Sequence, residues 1–156
     1  MSCGLLGSVP YLPPSWLPTL SLAVLPRERV QLGRFPTPVH RLDILDQELG
    51  LRLFVKRDDL SSFDLSGNKV RKLEFLLAEA LAGGHDCVAT IGGIQSNHAR
   101  STAVAARQLG LDSHLILRMR EPSEDPGLVG NLLLDRMVGA SIHQVGRRSL
   151  RLCEVQ

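Results

Sequence analysis

Two short segments of the sequence carry residue types that do chemistry. In the first, Ser66-Gly67-Asn68-Lys69-Val70-Arg71-Lys72-Leu73-Glu74, a lysine follows a glycine turn and opens an amphipathic run. In the second, Gly92-Gly93-Ile94-Gln95-Ser96-Asn97-His98, paired glycines lead into a hydroxyl, two amides and an imidazole. An ammonium in the first turn of a helix faces the positive end of the macrodipole, which disfavours its charged form. A neutral lysine amine is a competent imine-former, and Lys72, one helical turn on, adds a like charge. Paired glycines let backbone approach a ligand. Ser96 and Asn97 are good N-cap types, so free N–H groups at that point would suit a carboxylate or phosphate. Together the segments point to an anion-bearing cofactor held through a lysine imine. Spacing alone favours plainer alternatives: surface lysines with Lys72 loosely paired to Glu74 or Glu79, and an ordinary capped strand-to-helix turn with a structural His98.

Other chemistries find little support. The sequence holds no GxGxxG, Walker loop, HExxH or nucleophile elbow. Asp58-Asp59 resembles a metal pair, but a solvated loop or hydrogen bonds to turn backbone is the plainer reading. Cys3, Cys87 and Cys153 are far apart and match no metal or disulfide spacing, so free thiols in a reducing compartment are expected. Cys87, in Asp86-Cys87-Val88-Ala89-Thr90, is expected to be a buried strand residue. The net charge of +2, from 18 basic and 16 acidic side chains, is too balanced for nucleic acid or an anionic membrane as partner. Arg147, Arg148 and Arg151 read as a solvated tail. No apolar run approaches the roughly 18 residues of a membrane span. The first 25 residues hold four prolines and no basic residue, which argues against a secretory signal or transit peptide and for the cytoplasm.

The elements that must position these segments are legible from periodicity. Residues 1–30 read as an irregular, proline-punctuated arm stapled by Tyr11 and Trp16, followed by an extended turn at Pro36-Thr37-Pro38. Leu42, Leu45 and Leu49 predict a short helix ending at Gly50, and Leu51–Lys56 alternates as a strand. After a polar loop, Asn68 is the expected N-cap of a helix running to about Leu81 and closed by Gly83-Gly84. Its apolar stripe is Val70, Leu73, Leu76, Leu77 and Leu81. Strands follow at Cys87–Ile91, Ser113–Leu117 and Ser141–Val145, separated by helices at Asn97–Leu109 and Gly127–Val138, the latter with Leu132, Leu133 and Met137 inward. This alternation predicts an α/β fold of right-handed βαβ units on a parallel sheet. Such sheets bind ligands outside the carboxyl ends of their strands, where both chemical segments fall.

With both segments in one chain, the sequence resembles the D-cysteine desulfhydrase and 1-aminocyclopropane-1-carboxylate deaminase family. These are pyridoxal-phosphate enzymes of the tryptophan synthase β-like fold, fold type II. The matching stretches are Pro36-Thr37-Pro38, Val55-Lys56-Arg57-Asp58-Asp59, Gly67 to Glu74, Ile91 to His98 and Asn131-Leu132-Leu133-Leu134-Asp135. The resemblance implies an arm over 1–30, the N-terminal part of the enzyme domain over 31–145, and a divergent tail over 146–156. It implies that Lys69 holds pyridoxal 5'-phosphate as an imine and that Asn97 hydrogen-bonds the cofactor's phenolic oxygen. It sets Ser96 beside the substrate's reacting carbon or carboxylate, with Gln95 and His98 nearby. The histidine at 98 tilts towards the desulfhydrase branch, since the deaminase branch usually has glutamine there. The implied reaction takes a small amino acid to an α-keto acid and ammonia, with sulfide as well from cysteine, and the full-length family implies a homodimer. Family members are expected at roughly twice this length, with the phosphate loop in the second half. The alternative is therefore a truncated, catalytically inactive fragment or binding remnant whose cut sheet exposes apolar edges.

Overall fold

The computed structural model describes residues 7–15, 17, 25–62, 64–65, 67–119 and 125–146. Cys3, Trp16, Ser66, Cys153, the Arg147-Arg148-Arg151 cluster and the rest of the tail lie outside the described residues.

The arm expected to be irregular carries an antiparallel ribbon of β1 (Ser8–Pro10) and β2 (Glu28–Val30). A second ribbon pairs β3 (Val39–Arg41) with β4 (Phe54–Lys56), and α1 (Asp43–Leu49) lies between them. Next come α2 (Lys69–Ala82), β5 (Cys87–Gly93), α3 (Asn97–Gln108), β6 (Asp112–Met119), α4 (Gly130–Met137) and β7 (Ser141–Gly146). The three last strands form a parallel sheet in the order β5-β6-β7. The expected α/β fold with a parallel sheet is therefore present. One strand departs from expectation, because β4 pairs antiparallel with β3 instead of joining the parallel sheet. All three β4 residues are exposed, and its mixed polar and apolar sequence suits a wet ribbon better than a strand covered on both faces.

α3 is the hub. Residues Ala99 to Ala106 are all buried, so this helix is enclosed by α2 on one side and by the sheet and α4 on the other. Alanines at 99, 103, 105 and 106 let the neighbouring elements approach closely. One apolar cluster joins α2 (Val70, Leu73, Leu77) to the inner face of α3 and to Val30 and Leu32. A second joins Ala99 and Ala103 to Leu115, Leu117 and Leu132. Each fully buried leucine contributes roughly 1.5–3 kcal/mol. On β6 the buried residues are Ser113, Leu115, Leu117 and Met119, while Asp112, His114, Ile116 and Arg118 face away from α3.

Several side chains depart from the sequence reading. Leu76 is 52% exposed, at the edge of the α2 stripe. Met137 is 71% exposed, because it lies about 140° round the helix from buried Leu132 at roughly 100° per residue. Cys87 is exposed, since it opens an edge strand and faces away from α3. Partial desolvation, then the hydrogen bond and charge of Asp86 and the charge of Asp112, push its thiol up, which opposes a thiolate nucleophile. Glu74 is only 2% exposed and does not pair with Lys72. Its carboxylate takes Arg29 Nη1 at 3.1 Å and the N–H groups of Leu32 and Gly33, each at 3.1 Å, fastening the arm to α2.

Candidate functional site

The loop that delivers Lys69 is held at both ends. Asp58 accepts Arg71 Nε at 2.9 Å and Arg71 Nη2 at 2.7 Å, together with Thr37 Oγ1 at 2.8 Å. These donors, Arg71 first, hold the Asp58 carboxyl down at about 2. The Asp58 carbonyl accepts Gly67 N at 2.8 Å, closing the loop directly before the helix. Asn68, the expected N-cap, makes no capping bond: its φ of −68° and ψ of −12° are already helical, so its side chain cannot turn back over the helix end. The Asp58–Arg71 pair fixes the rotation of the first turn. Lys69 precedes Arg71 by two positions, about 200° round the helix, and so points to the other side. Arg57 pairs with Asp59 at 2.7 Å, so each aspartate of the Asp58-Asp59 doublet is engaged by an arginine.

α3 grips the same loop from below. Buried Arg100 donates from Nη1 to Asp64 O and from Nη2 to Leu65 O at 3.1 Å, and Ser101 Oγ donates to Leu65 O at 2.9 Å. Sequence reading assigned no role to these residues, although an arginine and a serine inside an alanine-rich helix were the signal available. One helix therefore carries Asn97 and His98 at its start and anchors the Lys69 loop a turn later.

The second segment leaves β5 at its carboxyl end and enters α3 sharply. Ser96 N donates to Gly93 O at 2.9 Å, and Ser96 Oγ caps the helix by accepting Ala99 N at 3.2 Å. A Cβ on Gly92 would lie 2.7 Å from Ser96 Cβ and Oγ, so only glycine permits this turn. The N–H groups of Asn97 and His98 have no partner among the described residues. Gln95 is committed to its neighbours: Oε1 accepts Asn131 N at 2.8 Å and Nε2 donates to Val129 O at 3.1 Å. Asn131 Nδ2 donates to Gln95 O at 2.9 Å and to Asn97 Oδ1 at 2.8 Å. Asn131 stood in a matching stretch of the sequence, but its partners are distant in the chain and nothing local announced them.

The two segments converge at His98. Burial first, then the charges of Lys72 and Lys69, push its pKa below 6.5, so the ring is neutral at neutral pH. Its Nδ1 is buried and has no hydrogen-bond partner. Lys69 and Lys72 make no hydrogen bond or ion pair among the described residues. The structure thus gathers unpaired amines, a neutral imidazole with an orphaned nitrogen, and a helix N-terminus with unused donors. That donor set fits a carbonyl-bearing cofactor and an anionic partner: an amine to hold the one, and amide and N–H donors for anionic oxygens. A groove of about 560 Å³ between Pro26–Glu28 and the later turns of α2 contains none of these residues.

Residues 30–154 match the family described as pyridoxal-phosphate dependent enzyme. The chain belongs to that family. The match continues past residue 145 into the tail. The chain is 53% identical over 140 residues to the bifunctional D-cysteine desulfhydrase/1-aminocyclopropane-1-carboxylate deaminase, mitochondrial, of Arabidopsis thaliana, covering 88% of this chain and 34% of the relative. It is 50% identical over 117 residues to a putative 1-aminocyclopropane-1-carboxylate deaminase of Thermotoga maritima, covering 75% and 36%. A crystal structure of an ACC deaminase homologue shares the fold with a TM-score of 0.67 at 43% identity, covering 75% of this chain and 34% of that one. The fold is accordingly the tryptophan synthase β-like fold type II. The matched stretch spans about a third of the length of the curated relatives. Among the described residues, no helix is long and apolar enough to cross a membrane.

Proposed function

We propose that the chain forms the cofactor-holding part of a pyridoxal-phosphate-dependent enzyme acting on a small amino acid of the D-cysteine or 1-aminocyclopropane-1-carboxylate type. The products would be an α-keto acid and ammonia, with sulfide in addition from cysteine. The observation that carries this reading is a neutral His98 at the open N-terminus of α3, within reach of the charges of Lys72 and Lys69, which make no hydrogen bond or ion pair among the described residues. Pyridoxal phosphate, when bound, supplies an electron sink that weakens the bonds at the substrate's α-carbon. Lys69 is the residue that would hold it. Asn97 would donate to its ring oxygen. The Ser96 hydroxyl and the N–H groups of Asn97 and His98 would receive a carboxylate, as helix N-termini do. His98, uncharged, would be free to take or hold a proton at Nδ1. Gln95 would shape the carboxylate-receiving loop through its bonds to Asn131 and Val129. The cytoplasmic setting and the homodimer belong to the same reading.

Borohydride reduction in the presence of pyridoxal phosphate, followed by peptide mapping, tests it. The label is expected on Lys69, and Lys69→Ala should abolish it. Labelling of Lys72 alone, or none in the wild type, would sink the assignment. A second reading, a catalytically inactive remnant, draws its support from the share of the relatives that the chain covers, 34% and 36%.

A further inference from the structure

We infer that Asn131 is a positioning residue: it fixes which end of the Asn97 amide is offered to the cofactor. The inference deepens the functional reading above and rests on its assignment of Asn97. A carboxamide has one accepting and one donating end of nearly the same shape, so only its partners decide which way it faces. Here the chain of partners ends on backbone groups, whose roles are unambiguous. Gln95 O can only accept, so the Asn131 side-chain atom 2.9 Å away is the NH2 nitrogen. That nitrogen also lies 2.8 Å from the Asn97 side chain, whose facing atom must then be the acceptor Oδ1. Asn131 N can only donate, so Gln95 gives it Oε1 at 2.8 Å, and Gln95 Nε2 is left to meet Val129 O at 3.1 Å. Every ambiguous amide is thus pinned, and all the bonds agree. Gly130 makes room for the arrangement: its φ is +51°, and a Cβ there would lie 2.3 Å from Gln95 Oε1. With Oδ1 held towards Asn131, Asn97 Nδ2 is turned away from it and has no partner among the described residues. The result is a fixed, single-sense donor for an anionic oxygen.

Two measurements on the full chain test this. Without cofactor, the side-chain amide resonances of Asn97 are compared between wild type and Asn131→Ala. They should shift and show faster local motion in the variant, while backbone resonances away from Gln95–His98 stay in place. With pyridoxal phosphate, absorbance titration should show Asn131→Ala binding roughly tenfold more weakly, the equivalent of one ordinary hydrogen bond. Asn131→Asp should bind more weakly still, because a carboxylate can only accept. It would draw the Asn97 NH2 inward and turn Oδ1 towards the cofactor's anionic oxygen, an effect that mere loss of packing would not produce. Unchanged Asn97 resonances in Asn131→Ala overturn the inference, whatever the cofactor does. Equal cofactor affinity in wild type and Asn131→Ala overturns it as well. A wild type that forms no reducible adduct at Lys69 instead defeats the parent reading, and the resonance comparison still decides the clamp.

Discussion

Asn97 and His98 are adjacent in the chain but occupy different environments. Asn97 is exposed, with its amide oriented by Asn131, whereas His98 is half-buried against the lysine side of α2. A direct donor to a charged oxygen is worth roughly 1.5–3 kcal/mol, about ten- to a hundredfold in affinity. Asn97→Ala should therefore weaken pyridoxal-phosphate binding by that factor, and by more than His98→Ala, because the imidazole is assigned to proton handling. Titration of both variants decides it, and a larger loss in His98→Ala would contradict the division of roles. At this scale the sequence was informative where a residue's task is local. Ser96, a good N-cap type, caps α3 by accepting Ala99 N three positions on. Where the task depends on a distant partner, the sequence was mute. The plainer alternative pairs Lys72 loosely with Glu74 or Glu79, whereas Glu74's partners, Arg29, Leu32 and Gly33, become neighbours only when the segment around β2 folds onto α2.

At the scale of elements, the helices were legible to within a few residues, since a 3.6-residue apolar period survives in any environment. Strand partnership was not, because β4 offers the same short alternating pattern whether it joins a parallel sheet or an isolated ribbon. A further property visible only in the packed structure concerns α4, whose Asp135 is 1% exposed with Oδ1 unpartnered. Burial raises its carboxyl to about 6 from 3.8, with the charge of Arg100 opposing the rise. The sign follows from linkage: the folded state holds this proton more tightly than the unfolded state does. The group's contribution to stability is thus fullest below the unfolded value. It is lost as pH rises through about 6, where the buried carboxylate must ionise. At 1.36 kcal/mol per unit, the loss is on the order of 2–3 kcal/mol. Asp135→Asn should abolish that slope and be the more stable form at neutral pH, with the gap closing near pH 4. Urea unfolding of both proteins between about pH 4 and 7.5 measures the difference. Asp58 and His98 also contribute at or inside this window, but equally in both proteins, so the difference between the two curves reports Asp135. Parallel curves for the two proteins would show that Asp135 is solvated or paired.

Among the described residues, the sheet is covered on one side. Leu115 and Leu117 pack against α3, but Ile91 on the other face of β5 is 50% exposed, and both β5 and β7 are edge strands of the sheet. Parallel sheets are almost always covered on both faces, and unpaired edges invite association. The 156-residue chain by itself should therefore be poorly soluble or depend on a partner. Its chemistry should be limited in the same way. The residues gathered around His98 supply an amine, an amide donor and a receptor for one carboxylate. The phosphate of the cofactor carries most of its charge and calls for a further helix N-terminus or glycine nest, worth several charge-assisted hydrogen bonds. The relatives are long enough to hold more than this chain does, which covers 34% of one and 36% of another. Little or no keto-acid release is expected from the purified chain given saturating pyridoxal phosphate and either D-cysteine or 1-aminocyclopropane-1-carboxylate. Reducible adduct at Lys69 should still form at high cofactor concentration. Turnover of about one per second or more, within the ordinary enzyme range, would show that the site around Lys69 is sufficient by itself and would defeat the remnant reading. Adduct without turnover would instead locate the missing function in the groups that hold the phosphate and the substrate.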